Sequence, residues 1–247
     1  MTEPDSAPHQ RTLSREQVEA FYHDDFVEGQ TRHFIEMAPE RVRSGLVVDV
    51  GGGRGFFARR LQQLTARPVR VIDMDPASVQ ACREAGINAS CGDALQPVFA
   101  GDEEIASFNL ILHHLVADTE VQTRALQVRA LRAWHGSARA VFVNEYIYES
   151  FVARLSGRLI FEITKSRLLS TLGRAAAKVV PAFKANTFGV GVRFRSHDEW
   201  VELFHQAGFR VEDRRIGTPE RVAPPLRSLL IRTIRRDSFL LRPLSSP

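Results

Sequence analysis

Short apolar runs alternate with amphipathic segments along most of the chain. The runs at 46–50, 69–72, 87–91, 109–112 and 140–144 are too short for helices and lack strict alternation. Parallel strands that are buried on both faces have this pattern. Between them, apolar residues recur at helical spacing, as at Phe57, Leu61 and Leu64. The pattern predicts an α/β fold with a parallel sheet.

The C-terminal third continues this alternation. Ser196 and Glu199 match a capping box, so a helix is predicted to begin there and to end at Gly208. A sixth strand is predicted around Val211 and a seventh at 229–234, with a proline pair in the loop between them. Residues 237–247 are predicted to be a short tail.

Two further segments precede or interrupt the strands. Residues 1–12 are polar and predicted to be a flexible tail, and residues 13–44 are predicted to be helical and to lead into the first strand. Residues 148–188 have one apolar and one basic face and are predicted to form a helical cap inserted between strands 5 and 6. A helix lying on an anionic membrane surface is the alternative for this insertion. Residues 13–247 are predicted to form a single domain.

Composition narrows the class of protein. The chain has 247 residues, 44% hydrophobic and 25% charged, which is ordinary for a soluble globular protein. Its net charge of +4 and pI of about 9.5 permit anionic partners, but the arginines are spread along predicted helices, which argues against nucleic acid. The two cysteines lack metal or disulfide spacing, so no metal site is predicted. With no signal or membrane-length segment, we expect a cytoplasmic protein, and oligomeric state stays open, homodimer included.

The first strand ends in an acid and then in glycines, Asp49-Val50-Gly51-Gly52-Gly53-Arg54-Gly55. Glycine permits positive φ and close approach of a ligand to the backbone. Asp73 follows the second strand, about 20 residues later, the spacing at which a βαβ unit brings a carboxylate to a ribose. Asp93 follows the third strand. By contrast, the acidic run at 102–104 is predicted to be solvated.

At these residues the sequence resembles the class I S-adenosylmethionine-dependent methyltransferases of the small-molecule type. The resemblance implies a Rossmann-like fold whose seven-stranded, mostly parallel sheet has an antiparallel last strand. It also implies S-adenosyl-L-methionine as cofactor and S-adenosyl-L-homocysteine as product. The implied cofactor-binding residues are Asp49, Gly51, Gly53, Asp73, Met74, Asp93, Ala94 and His113.

Two histidines follow the fourth strand, at the edge where open α/β sheets bind ligands. His113 and His114 are the candidate general bases, because imidazole titrates near neutral pH. Asn109 stands where one common form of the family motif has an acid, and the Asn-Pro-Pro-Tyr form is absent, which argues against macromolecular amine substrates. The candidate residues around the acceptor are Tyr22, Gln30, Arg32, His33, His114, Glu145, Tyr146 and Arg193.

We therefore predict methyl transfer to a small-molecule acceptor, with O-methylation favoured over N-methylation and a place in secondary metabolism. Residues 53–58 also satisfy the dinucleotide fingerprint G-x-G-x-x-A, so an NAD(P)-dependent oxidoreductase is the first alternative. A non-catalytic binding protein with the same fold is the second alternative. The sequence does not identify the acceptor.

Overall fold

The computed structural model describes residues 24–38, 45–179 and 189–244. Its centre is a seven-stranded sheet in the order β3-β2-β1-β4-β5-β7-β6. Strands β1 to β5 pair in parallel, and β7 runs antiparallel to both β5 and β6. The strands are β1 (Leu46–Val50), β2 (Val69–Asp73), β3 (Asn88–Cys91), β4 (Glu103–Asn109), β5 (Ala140–Ser150), β6 (Phe209–Arg215) and β7 (Ile231–Pro243). The Rossmann-like fold predicted from the sequence is confirmed.

Seven described helices accompany the sheet. They are α1 (Asp24–Met37), α2 (Phe56–Thr65), α3 (Pro76–Glu84), α4 (Glu120–Arg132), α5 (Leu155–Lys165), α6 (Arg167–Val179) and α7 (His197–Gln206). Two 3₁₀ turns occupy Leu112–His114 and Pro224–Leu229. None of the helices in the described part of the chain is long and apolar enough to span a membrane.

A hydrophobic core lies on each face of the sheet. On one face, Phe34 of α1 and Phe57 of α2 pack over Val47 and Phe142. On the other face, side chains of α4 and α7, among them Trp200, cover the remaining strand residues. Alternate residues of each strand enter each core, so consecutive residues at a strand end face opposite sides of the sheet.

The fourth strand lies earlier than the sequence predicted. It spans Glu103–Asn109, and the chain leaves it at Leu110, which has a φ of 55°. The acidic run is therefore not wholly solvated. Glu103 is buried, where it pairs with Arg70 and accepts hydrogen bonds from the backbone N–H groups of Ala100 and Gly101. These partners allow a carboxylate to begin a buried strand.

The last strand is longer than predicted, and the predicted C-terminal tail is wrong over most of its length. Residues 237–243 belong to β7, which pairs with β5 along ten positions from Val141↔Leu241 to Ser150↔Ile231. Strand β5 likewise continues six residues past Asn144. The polar residues in these extensions of β5 and β7 break the apolar pattern, so the sequence did not predict the extensions. The structure satisfies many of these side chains with partners distant in the chain.

Local signals match the starts of two helices. Thr119 caps α4, and Ser196 and Glu199 form the predicted capping box of α7. The inserted segment contains α5 and α6, and its end at Pro181 lies outside the described residues. Residues 1–12, predicted to be a tail, also lie outside them.

Candidate functional site

The glycine loop joins β1 to α2 at the carboxyl edge of the sheet. Gly51 and Gly53 have φ angles of 65° and 53°, in the left-handed region that favours glycine. A Cβ at Gly51 would overlap the Ile111 side chain, and one at Gly52 would overlap the Asp49 carboxylate. The loop therefore requires glycines for its backbone conformation and for close packing under it.

Asp73, at the end of β2, is tied to this loop. One carboxylate oxygen accepts a 2.8 Å hydrogen bond from the Gly53 N–H, and the other accepts one of 2.8 Å from the Asp75 N–H. Burial raises the pKa of this carboxyl, and the backbone hydrogen bonds oppose that rise. Each carboxylate oxygen has a second acceptor site, so the group keeps the capacity to accept two hydroxyl donors.

Asp49 is buried beside the loop and incompletely satisfied. Its Oδ1 accepts a 3.1 Å hydrogen bond from the Asn109 side chain, whereas Oδ2 forms no hydrogen bond among the described residues. Burial raises the pKa of Asp49 to about 7, against the lowering effect of the Asn109 hydrogen bond. The side-chain oxygens of Asn109, at the end of β4, and of Asn144, its neighbour on β5, also have no donor among those residues. By strand alternation these three acceptors share one face, which would suit a ligand with N–H donors.

Two predicted adenine-edge residues follow β3, and one follows β2. Asp93 forms a turn in which its Oδ1 accepts a 2.8 Å hydrogen bond from the Leu95 N–H, and Ala94 is buried. Met74, directly after Asp73, has 45% of its surface exposed. An exposed methionine at the sheet edge is available to cover a flat apolar ligand.

His113 lies in the 3₁₀ turn after β4 and is 2% exposed. Its Nδ1 is 2.6 Å from Oε2 of Glu145, whose Oε1 accepts a 2.6 Å hydrogen bond from the Leu112 N–H. The Arg193 N–H donates to the His113 carbonyl at 2.9 Å. No hydrogen bond to Nε2 of His113 is formed within the described residues. The ring is thus fixed through Nδ1 and keeps Nε2 for another partner.

His114, the second candidate base, has a different environment. Its ring centroid is 4.1 Å from that of His113. Burial, and then the neighbouring His113, hold its pKa well below the usual range. Glu145 contacts His113 and not His114, so the pair does not share one carboxylate. His113 is therefore the candidate that has a carboxylate against its ring.

Aromatic side chains surround His113 and form what we call the aromatic wall: Phe26, Tyr146, Tyr148 and Phe194. The ring centroids of Phe194 and Tyr146 are 4.9 Å and 5.9 Å from that of His113. Tyr148 stacks on Phe194 at 4.2 Å, and Phe26 of α1 meets Tyr146 edge-on at 6.4 Å. Burial raises the pKa of Tyr146 to about 12, so its phenol stays neutral.

Arg193 was predicted to contact an acceptor, but its side chain is fully buried. It donates to Glu120 at 2.6 Å, to Glu199 at 2.8 Å and to the Phe194 carbonyl. Arg195 is equally buried and binds Glu120 and Gln127. We call these two arginines with Glu120 and Glu199 the arginine cluster. Each side-chain nitrogen of these arginines has a hydrogen-bond acceptor within the protein. The buried position of Arg193 therefore argues against its predicted contact with a methyl acceptor.

The remaining predicted acceptor residues belong to the lead-in before β1. Gln30 is buried, and His33 Nδ1 lies 2.9 Å from Oγ of Ser238. The side chain of Arg32 is 69% exposed and faces Glu36 at 4.0 Å. Tyr22 lies outside the described residues. Helix α1 therefore places His33 against β7, while Arg32 points to solvent.

Sequence reasoning missed three members of the site. Asn109 could have been predicted, because strand alternation places it on the same face of the sheet as Asp49. It was noted only as the replacement for the acid of a family motif. Phe26 was counted only among the helically spaced apolar residues of the lead-in. No sequence pattern marks Phe194. It lies beside His113 because its neighbours in the arginine cluster bond to Glu120, some 75 positions earlier in the chain.

No protein-family model matches this sequence, and no curated protein sequence matches it either. Solved structures do match. The MccD protein matches with a TM-score of 0.57 at 10% identity, over 89% of this chain and 96% of that one. The [4+2]-cyclase SpnF matches with 0.55 at 16%, over 90% and 80%.

A third structure is the O-methyltransferase NcsB1 from neocarzinostatin biosynthesis, in complex with S-adenosylmethionine and 2-hydroxy-5-methyl naphthoic acid. It matches with a TM-score of 0.50 at 19% identity, over 89% of this chain and 57% of that one, so this chain spans little more than half of its length. Together with the strand order and the antiparallel β7, these likenesses show that the chain has the class I methyltransferase fold.

Proposed function

We propose that the protein transfers a methyl group from S-adenosylmethionine to a hydroxyl group of a small, flat acceptor. One observation carries the proposal: the buried His113–Glu145 pair, at 2.6 Å, lies at the sheet edge that also carries the glycine loop. A hydroxyl acceptor must lose a proton to become a good nucleophile, and an imidazole backed by a carboxylate is a suitable base. An amine that is already neutral would not need this pair.

The residues present fit the cofactor. The glycine loop leaves no room for side chains, Asp73 retains acceptor capacity for two ribose hydroxyls, and Met74 is available to the adenine. Oδ2 of Asp49 and the amide oxygens of Asn109 and Asn144 lack donors among the described residues, and an amino group would supply them. Asp93 and Ala94 are assigned to the adenine edge. When bound, S-adenosylmethionine supplies an electrophilic methyl group on a sulfonium.

The chain's own residues then have distinct parts. Nε2 of His113 takes the acceptor proton, and Glu145 stabilises the resulting imidazolium through Nδ1. The aromatic wall and His114 confine a flat ring and exclude water. Positioning of this kind can contribute about 7 to 11 kcal/mol to lowering the barrier of a two-reactant displacement. NcsB1 binds a hydroxylated naphthoic acid, which supports a flat aromatic hydroxyl compound as the acceptor. The role of NcsB1 in neocarzinostatin biosynthesis supports a place in secondary metabolism.

Calorimetric titration with S-adenosylhomocysteine tests the cofactor, with NAD and NADP as comparison ligands. We expect saturable binding of S-adenosylhomocysteine alone, weakened about tenfold or more in Asp73→Ala, since the loss removes hydrogen bonds to a charged group. Asp102→Ala is the matched control, because that exposed carboxylate lies at the opposite edge of the sheet. Binding of a nicotinamide dinucleotide instead would replace the proposal with an oxidoreductase.

Turnover is tested by incubation with S-adenosylmethionine and a panel of phenols and hydroxynaphthoic acids, with matched aromatic amines. Methylated phenols are expected. If the protein binds S-adenosylhomocysteine but methylates no member of the panel, then a protein that uses the fold for another purpose is favoured. Cyclisation is one such purpose, because the structural match SpnF is a [4+2]-cyclase.

A further inference from the structure

A concave surface lies where the start of β7 meets the loop that follows β6. It is a groove of about 390 Å³, lined by the loop 219–224, the turn residue Arg227, and Arg232 and Thr233 of β7. In the strand pairing, Thr233 is opposite Glu149 and Asp237 is opposite Glu145. Four residues of strand separate these positions, or roughly 13 Å. The groove therefore does not include the His113–Glu145 pair, but Tyr146 and Tyr148 of the aromatic wall pack on the cluster of Val222, Ile231 and Ile234 behind it.

Charge in the groove is unbalanced. Arg221, Arg227 and Arg232 are exposed, and none of the three guanidinium groups forms an ion pair or hydrogen bond with the described residues. Glu220, the acid among the lining residues, is already paired with Arg236 at 3.5 Å. Like charges around a concave surface reinforce one another and attract anions.

The walls of the groove are held in place by the fold. Val222, Ile231 and Ile234 form a small buried cluster, against which Leu226 and Leu229 of the 3₁₀ turn pack. These contacts anchor the loop and the turn to β7. A ligand would therefore meet a largely preformed surface and would not have to order it.

Backbone bonds add to this rigidity. The Glu220 N–H donates to the Ile234 carbonyl at 2.8 Å, which fixes the loop to the strand. The Leu230 N–H donates to the Arg227 carbonyl at 2.9 Å, and Leu230 has a φ of 59°. The turn that carries Arg227 is thus closed at its C-terminal end.

We propose that this groove binds a small organic anion that carries a carboxylate or phosphate on an apolar body. Guanidinium groups recognise both anions through paired N–H donors, and Pro219, Val222 and Pro224 provide the apolar contact. The site goes beyond methyl transfer and does not depend on it. A readout of binding alone therefore tests it even if the proposed function fails.

The probes are phenyl phosphate, benzoate, inorganic phosphate and phenol, titrated calorimetrically into the full chain at constant ionic strength. Phenyl phosphate combines both features of the groove and is expected to bind at least fivefold more tightly than inorganic phosphate or phenol. Comparison with benzoate decides whether phosphate or carboxylate is preferred. Equal affinity for phenyl phosphate and inorganic phosphate would overturn the proposal, since the apolar wall would then contribute nothing.

Variants locate the bound probe. Arg227→Gln and Arg232→Gln are each expected to weaken phenyl phosphate about tenfold, the usual effect of losing one hydrogen bond to a charged group. Arg210→Gln is the matched control, because Arg210 is exposed on β6 and outside the groove. All three arginines are on the surface, so unchanged melting temperatures are expected. Equal affinity in the groove variants and the control would place the probe elsewhere and overturn the assignment.

Discussion

Two groups of buried polar side chains flank the Leu112–His114 turn, and they differ in how completely their hydrogen bonds are satisfied. In the arginine cluster, every side-chain nitrogen of Arg193 and Arg195 has an acceptor, and two glutamates balance the two positive charges. In the His113–Glu145 pair, the carboxylate is satisfied, but Nε2 of the imidazole has no partner among the described residues.

The difference separates structural from chemical use of buried charge. Both groups hold the same turn: Gln127, bound by Arg195, donates to the Leu112 carbonyl at 2.9 Å, and Glu145 accepts from the Leu112 N–H. A fully satisfied cluster has no capacity left for a ligand. A pair with one unused nitrogen, beside a ligand-binding edge, has that capacity. Burial of charge alone therefore does not identify a catalytic group.

The largest effect on activity is expected from His113→Gln, which removes the base. Methyl transfer to the phenolic acceptor found by screening should slow by about 10²- to 10⁴-fold, the range typical of general base catalysis. Affinity for S-adenosylhomocysteine should stay within twofold, since the glycine loop and Asp73 are untouched. Radiolabel transfer from S-adenosylmethionine measures the first quantity, and calorimetry measures the second.

His205→Gln is the matched control for this variant, because His205 is an exposed histidine on α7. It should retain full activity. If His113→Gln were equally active, the pair would be as structural as the arginine cluster, and the contrast between the two groups would disappear.

The largest effect on stability is expected from Arg193→Met, which leaves the buried Glu199 and the partly exposed Glu120 each without one ion-pair partner. Breaking a buried ion pair from one side typically costs about 3 to 5 kcal/mol. For a chain of this size the melting temperature should fall by roughly 10 °C. Scanning calorimetry measures the change.

Arg154→Met provides the comparison for an exposed pair. Arg154 meets Glu202 at 2.5 Å with both side chains more than 40% exposed. Such pairs contribute about 0 to 1 kcal/mol. A melting temperature for Arg193→Met as close to wild type as that of Arg154→Met would mean that the arginine cluster does not stabilise the fold.

The fold was predictable because its signals are local. Leu46–Val50, the glycines after it and the caps at Thr119 and Ser196 lie within a few residues of the structure they determine. The extended part of β7 was not predictable, because residues such as Asp237 break the apolar pattern. Asp237 is buried with bonds to His197 and to the Gly217 N–H, which lie outside β7, and to Arg235, two residues earlier on the same strand.

The candidate site divides in the same way. Asp49 and Asp73 lie at the carboxyl ends of β1 and β2, and His113 lies in the turn after β4, so topology alone brings them to one edge. Phe194 and Arg193 come from the segment before α7, and only the three-dimensional packing reveals that one reaches His113 and the other is buried. Glu145 was found as a candidate acceptor contact, but its bond to Nδ1 of His113 required the structure.

Asp49 provides a third comparison with the arginine cluster and the His113–Glu145 pair, because it is a buried carboxylate with one satisfied and one unsatisfied oxygen. Its pKa is raised from 3.8 to about 7, so between these values the folded state binds more protons than the unfolded state. Stability must therefore fall as pH rises through this window. Asp49→Asn removes the charge and should raise stability at pH 8 by about 2 to 4 kcal/mol, with a smaller gain at pH 5.

Denaturant unfolding at both pH values measures these gains, and Asp102→Asn, an exposed carboxylate, should show neither. The same Asp49→Asn variant should bind S-adenosylhomocysteine more weakly, because the assigned partner of its amino group is lost. A variant that is less stable than wild type at pH 8 would contradict the unsatisfied state of Asp49.

The smallest effect is expected from Glu145→Gln, which keeps the shape of the pair and removes its charge. The hydrogen bond from the Leu112 N–H can persist, so the turn should hold and the melting temperature should change far less than in Arg193→Met. Turnover should fall by about tenfold to a hundredfold, since a hydrogen bond to a charged group contributes about 1.5 to 3 kcal/mol. Glu149→Gln, on the same strand and bound to Arg235, should remain close to wild type.

A double variant that combines Glu145→Gln with His113→Gln tests whether Glu145 acts through the imidazole. If Glu145 acts only through the imidazole, the double variant should be no slower than His113→Gln alone, because residues that act as a unit are not additive. If the two losses multiply, Glu145 has a separate role, such as direct contact with the acceptor. Unchanged turnover in Glu145→Gln would reduce this carboxylate to a support for Leu112, the same structural part that Gln127 and Arg195 play on the other side of the turn.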